Sequence, residues 1–271
     1  MPSIWRLIGM FFRVLILGQR HRSSMAKLRS NSAYGPAQEK MLEAYRQGDY
    51  QTALRLVEGL KELNKASYTF FRGAILLDLG QFEEAEKLLR QNVLTESKDH
   101  QLAIGYSSLG QLMLEQGRFD DAMECFTASL RYMPDRGATL RDVAETWLRR
   151  KSDPAEALKW AQLAVVKERS APLISEEVRA LNLSENLATL AWAVAVSSRD
   201  EHAVEEILSE AIPMIENRAV SSASQVFYHS GRAYAELGDF PKSRERYEEA
   251  SRRDPQGRWG RAARAALEQF R

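Results

Sequence analysis

One cysteine and four histidines are the chain's most reactive side chains, and their placement argues against catalysis. Cys125 sits between Glu124 and Phe126. Alone it forms no internal disulfide, and in that setting it reads as a small hydrophobe rather than a nucleophile. Histidines 21, 100, 202 and 229 show no metal-ligand spacing. His202 shares a helical face with Glu205 or Glu206, but a metal asks for three or four ligands. The run Gly105-Tyr106-Ser107-Ser108-Leu109-Gly110 has the outline of a nucleophile elbow. Leu109 holds the place of its second glycine, and no strand-like run precedes it. Phosphate-binding lysine loops and dinucleotide fingerprints are missing. The expectation is a protein that is not an enzyme, with no metal and no cofactor, acting by binding.

The elements that must position a binding surface are visible as a repeat. Four times a glycine is followed two residues later by an aromatic and three after that by a small residue. The sets are Gly48/Tyr50/Ala53, Gly80/Phe82/Ala85, Gly117/Phe119/Ala122 and Gly238/Phe240/Ser243. In three of them a further glycine (Gly73, Gly110, Gly231) lies seven residues upstream, where the first set has Met41. Glycine leaves the helical region cheaply at a tight turn. The upstream glycine and the small residue mark places where two helix backbones approach closely. A period in roughly the thirties is the signature of a helical solenoid. Ala, Leu, Glu, Arg and Gln suit helix, and runs of β-branched alternation are absent.

These residues resemble the tetratricopeptide repeat family. The third unit carries the fullest match, through Tyr106, Leu109, Gly110, Gly117, Phe119, Ala122, Phe126 and Pro134. The sixth matches through Phe227, Gly231, Tyr234, Gly238, Phe240, Tyr247, Ala250 and Pro255. Two units are degenerate. One runs from about Gly137 to Glu168, with Ser152-Asp153-Pro154 replacing the glycine turn and Ala157, Ala161 and Ala164 behind it. The other covers about Ser184 to Asn217, with Ala191 and Ala203 at the close-packing positions. The resemblance implies an all-α fold: a right-handed α-solenoid of about six helix–turn–helix repeats over residues 37–271. Trp259, Ala263, Ala266 and Phe270 predict a final amphipathic helix capping the array. Residues 169–183 exceed the period, as an insertion, an elongated first helix or a plain surface loop, and are the candidate for a bend.

The resemblance also implies a function. In this family the first helix of each unit lines a concave groove that holds a peptide or helix of another protein. Register points to Gln38, Leu42 and Tyr45, then Phe70, Ala74 and Leu77, then Ser107, Gln111 and Leu114. Trp192 follows from the fifth unit, and Tyr228 with Arg232 from the sixth. Members that grip a chaperone's C-terminal carboxylate place lysines and asparagines in the groove; Gln38, Leu42, Phe70, Ala74, Ser107 and Gln111 provide no such clamp. A scaffold or adaptor is expected, with no small-molecule substrate. A nucleic-acid-binding alternative would use Arg252, Arg253, Arg258, Arg261 and Arg264. Glu248, Glu249 and an overall charge of +1 argue against it.

The N-terminus is the other informative region. Residues 4–18 are apolar apart from Arg6 and Arg13, which with Arg20 make a narrow helical stripe. Six of the 38 basic residues precede the first acidic one, Glu39, leaving 32 against 37 and a balance of −5 for the remainder. Fifteen helical residues reach about 22 Å against a hydrocarbon core of about 30 Å. Residues 1–20 are therefore expected to associate with a membrane as a shallow or tilted helix contacting it through Trp5, Arg6, Phe11, Phe12, Arg13 and Leu17. The basic flank would hold the repeats on the cytoplasmic face. The alternatives are a mitochondrial-type presequence, removed on import, and a helix docked on the solenoid. Residues 21–36 read as a basic flexible linker.

Overall fold

The computed structural model describes residues 36–61, 65–172, 175–215 and 219–270. The expected membrane or targeting helix and residues 21–35 of the linker lie outside the described residues; Pro36, the linker's last residue, opens the first helix.

Among the described residues the chain forms thirteen helices and no strand. They pair as six hairpins and a cap. The pairs are α1 (Pro36–Arg46) with α2 (Tyr50–Glu58), α3 (Lys65–Asp78) with α4 (Phe82–Thr95), and α5 (Asp99–Glu115) with α6 (Phe119–Tyr132). Then come α7 (Gly137–Arg150) with α8 (Pro154–Ser170), α9 (Glu176–Ser197) with α10 (Glu201–Ala211), and α11 (Val220–Leu237) with α12 (Phe240–Arg253). The cap is α13 (Arg258–Glu268), packed on α11 and α12. Each hairpin packs on the next, so the architecture is an α-solenoid of helical repeats. The extra length before the fifth unit goes largely into α9, 22 residues long.

Local chemistry explains the boundaries. Gly48, Gly80, Gly117 and Gly238 all adopt positive φ, from 72° to 87°. At each turn the next residue's N–H reaches back to a carbonyl of the first helix, as Arg118 does to Met113 at 2.9 Å, closing a Schellman-type cap. Asp49, Asp153, Asp200 and Asp239 then cap the second helices through their carboxylates. The fifth unit turns without glycine, holding Arg199 at φ 55°, and its Asp200 N–H goes to the Ser198 hydroxyl at 3.4 Å and not to a carbonyl of α9. Its close-packing position belongs to Val204, fully buried, and not to Ala203, which is only half-buried: counted from the Asp200 cap, Val204 is the residue that faces α9.

The upstream glycines serve contact. A Cβ on Gly110 would lie 2.5 Å from the Phe126 ring, and one on Gly231 2.7 Å from Tyr247. One apolar core runs from Leu76 to Tyr234 through the middle units, and a separate cluster from Met41 to Ile75 serves the first.

The two glycines of the third unit therefore predict different losses. Gly110→Ala forces a collision with Phe126 and is expected to cost about 1–3 kcal/mol, relieved in part by Phe126→Leu. Nothing lies within 4 Å of a Cβ at Gly117, so Gly117→Ala meets only backbone strain, about 1 kcal/mol. Arg199→Gly is expected to raise stability by about 1 kcal/mol. Urea unfolding measures all three; a Gly110→Ala loss unchanged by Phe126→Leu would contradict the packing account.

Candidate interaction surface

The first helices of units two to six pack on one another in order, and this layer, the inner face, carries many charged side chains. Helix α7 places Arg141, Asp142 and Glu145 in the interior, each at most 4% exposed. Asp142 accepts from Ser107 at 3.1 Å and Gln111 at 2.9 Å on α5, and pairs with Arg141 at 3.1 Å. Arg141 also pairs with Glu185 on α9. Arg149 meets Glu115 at 2.7 Å. Arg136 donates to Ser107 at 3.0 Å and Thr139 at 2.8 Å. Farther along, Thr189 and His229 Nδ1 are 2.9 Å apart, and Arg232 lies over the Trp192 ring at 4.5 Å.

The array then closes on itself. Tyr50 in the first unit donates to Asp254 at 2.6 Å across 204 residues of sequence. Tyr45 donates to Asp78, whose carboxylate also faces Arg258 of α13 at 3.8 Å. Arg261 donates to the Asp78 carbonyl at 2.6 Å. Trp259 packs its ring 5.5 Å from Tyr228 and 5.0 Å from His229. The cap helix thus covers the end of the array and also lies against the inner face.

Burial shifts the ionisable groups here. Burial raises the Asp78 carboxyl above its ordinary range, with Arg258 opposing. Burial likewise raises Glu145. Burial, with Arg141, Arg232, Arg258 and Arg149 around it, holds His229 well below the usual histidine value. Its 3.6 Å approach to Glu145 is consequently between a neutral imidazole and a carboxyl, not an ion pair. Elsewhere, burial pushes the Cys125 thiol up to about 11, leaving it protonated and a poor nucleophile. Among the described residues no group of histidine, cysteine or carboxylate side chains could hold a metal, and no helix is long and apolar enough to cross a membrane.

Of the twelve residues expected to line the groove, Tyr45, Ser107, Gln111, Trp192, Tyr228 and Arg232 meet in this inner layer. Leu77 and Leu114 belong instead to the apolar core, with Phe70 packed against it, and Leu42 packs in the first unit's cluster. Each first helix must also seal against its neighbours, and these side chains do that. Gln38 is buried with its amide nitrogen unpartnered, and Ala74 is half-buried. None of the twelve is exposed. The C-terminal arginines are engaged within the chain: Arg252 and Arg253 with Glu249, Arg258 with Asp78, Arg261 with the Asp78 carbonyl, and Arg264 with Ser251 at 3.4 Å. The buried charges of α7 escaped the sequence reading. Their signal was the spacing 141, 142, 145, 149, which puts four charges toward one helical face.

Paired antiparallel helices in series, with a glycine turn and a close-packed glycine in the regular units, define a helical-repeat interaction protein. Two tetratricopeptide repeat models match the sequence, over residues 65–135 and 108–172. Residues 65–172 are thus built of tetratricopeptide repeats. Proteins with such repeats are generally non-catalytic scaffolds that bind other proteins or peptides. Among solved structures, BtubC (BKLC) from P. vanneervenii is similar at 16% identity and a TM-score of 0.49, covering 86% of this chain and 93% of that one. YrrB, described as a TPR protein with an unusual peptide-binding site, is similar at 18% identity and a TM-score of 0.41, covering 77% and 97%. A putative kinesin light chain from Podosopora anserina gives 16% and 0.41, covering 82% and 97%. The search of curated proteins found no match.

The buried imidazole predicts a pH dependence with a definite sign. Below about pH 6.5 the unfolded chain protonates His229 and the folded chain does not. Stability from this group is thus full above that pH and falls as the solution is acidified toward the lowered native value. The raised Asp78 and Glu145 carboxyls act in the opposite sense, so the comparison is with His229→Gln. Urea midpoints between pH 7.5 and 5.5 should fall more for the wild type than for this variant. Parallel profiles would mean the folded imidazole is charged.

Proposed function

We propose that this protein is a non-catalytic adaptor that holds a peptide or helix of another protein on its inner face and is attached to a membrane through residues 1–20. The observation that carries the first half is the inner layer itself. The first helices contribute polar and aromatic side chains to this layer, and of these Tyr45, Gln111, Tyr228 and Arg232 stay half-buried. Aromatic anchors among fixed polar groups suit recognition of a segment whose few large side chains carry most of the binding energy. The second half rests on the sequence of residues 4–18, apolar with an arginine stripe, followed by a basic stretch suited to anionic headgroups.

The test captures the full-length protein from native membranes beside a Gln111→Ala/Arg232→Ala variant whose helicity is verified. The expected result is a stoichiometric protein partner that the variant loses at least tenfold, corresponding to about 1.4 kcal/mol or more. Identical captures would remove the inner face from the reading. Deleting residues 1–20 should move the protein from the membrane pellet to the supernatant. Recovery of a shortened chain from mitochondria would instead favour the import alternative.

A further inference from the structure

Helix α13, packed on α11 and α12, also reaches side chains of the first helices near both ends of the array. The N-terminal half of α13 brings a guanidinium, an indole and a second guanidinium to them within four residues: Arg258, Trp259 and Arg261. Arg258 stacks on its own neighbour, with the guanidinium 4.3 Å from the Trp259 ring centre, and faces the Asp78 carboxylate. Trp259, 4% exposed, settles against Tyr228 and His229. Arg261 takes the Asp78 carbonyl. The receiving groups are the Asp78 carboxylate and carbonyl and the Tyr228 and His229 rings, and the inserted element is two arginines and an indole. That is the complementarity of a recognition site.

The manner of closure matters equally. The apolar cluster of the first unit ends by Leu79, and the cluster holding α13 draws on nothing before Leu181. The two share no residue, so the ends meet largely through hydrogen bonds and charge: Tyr50 with Asp254, and Asp78 with Arg258 and Arg261. Contacts within a chain that are polar rather than apolar are those across which parts move.

We propose that the inner face is a receptor for an amphipathic helix bearing an arginine–tryptophan–arginine cluster, that α13 fills it in cis, and that a partner of this chemistry binds by displacing the N-terminal half of α13. The inference deepens the adaptor reading and rests on it.

The probe is a fluorescent synthetic peptide of residues 254–270, titrated onto the full chain by anisotropy. An occupied site lowers apparent affinity by the fraction that is open. Arg258→Ala/Arg261→Ala should therefore bind the peptide at least about tenfold more tightly than wild type. Adding Asp78→Asn should reverse that gain, and a peptide with alanine at positions 258 and 259 should not bind. If the double variant loses helicity, Tyr50→Phe decides, since it keeps the ring and removes only the bond to Asp254; it should tighten binding in the same direction by less. A folded variant that binds the peptide no better than wild type, or whose binding ignores Asp78→Asn, overturns the proposal. Trans binding that follows this pattern, with no partner captured from membranes, would leave the receptor standing and count against the adaptor reading alone.

Discussion

The Asp254 carboxylate holds two distant parts of the molecule at once. One oxygen accepts from the Gly257 backbone at 2.8 Å and starts α13; the other accepts from Tyr50 in the first unit. A Cβ on Gly257 would run into both Tyr50 and that carboxylate, so the approach requires glycine. Because α13 is fixed there, Arg258 reaches Asp78 and Trp259 reaches Tyr228. Arg258 also brings a cation toward the carboxylates of Glu115, Glu145 and Asp142.

A layer of paired charges is a costly way to fill an interior. Removing ions from water costs several kcal/mol each, and an apolar filling of the same shape is often as stable or more so. The regular core of the middle units shows that this chain builds such a filling well, with Leu112, Phe126, Leu140 and Trp192 at 2% exposure or less. Along the inner face it instead keeps Arg141 between Asp142 and Glu185, and Arg149 between Glu115 and Glu145. Polar partners at fixed positions select one arrangement over its competitors and suit a surface that is sometimes solvated.

The fold was legible in the sequence wherever it is decided within one hairpin. Positive-φ glycines, close-approach glycines and capping aspartates act over a few residues, so their spacing exposes four of the six units directly. Unit five was harder because Arg199 performs the turn in a conformation its side chain disfavours, and Val204 takes the place where a small residue was sought. Half of the expected groove positions fall in the inner polar layer because register along a first helix is local. Leu77 and Leu114 were misplaced because the same register also serves the packing between units. The inner ion pairs and the closure were illegible for a different reason. Charges in a sequence ordinarily mark a solvated face, and nothing near Arg258 or Arg261 in the chain announces Asp78, some 180 residues away.

The link between Tyr50 and Asp254 also alters how the molecule can come apart. In an open array each repeat touches only its neighbours, so the terminal repeats fray first and unfolding spreads inward by nearest-neighbour steps. Joining the first unit to the last removes both loose ends. Fraying at either end must first break a contact that the opposite end also needs. The termini, which an open line would leave as its weakest members, acquire a shared fate, and a perturbation at residue 50 is felt at residue 254 without passing through the four units between.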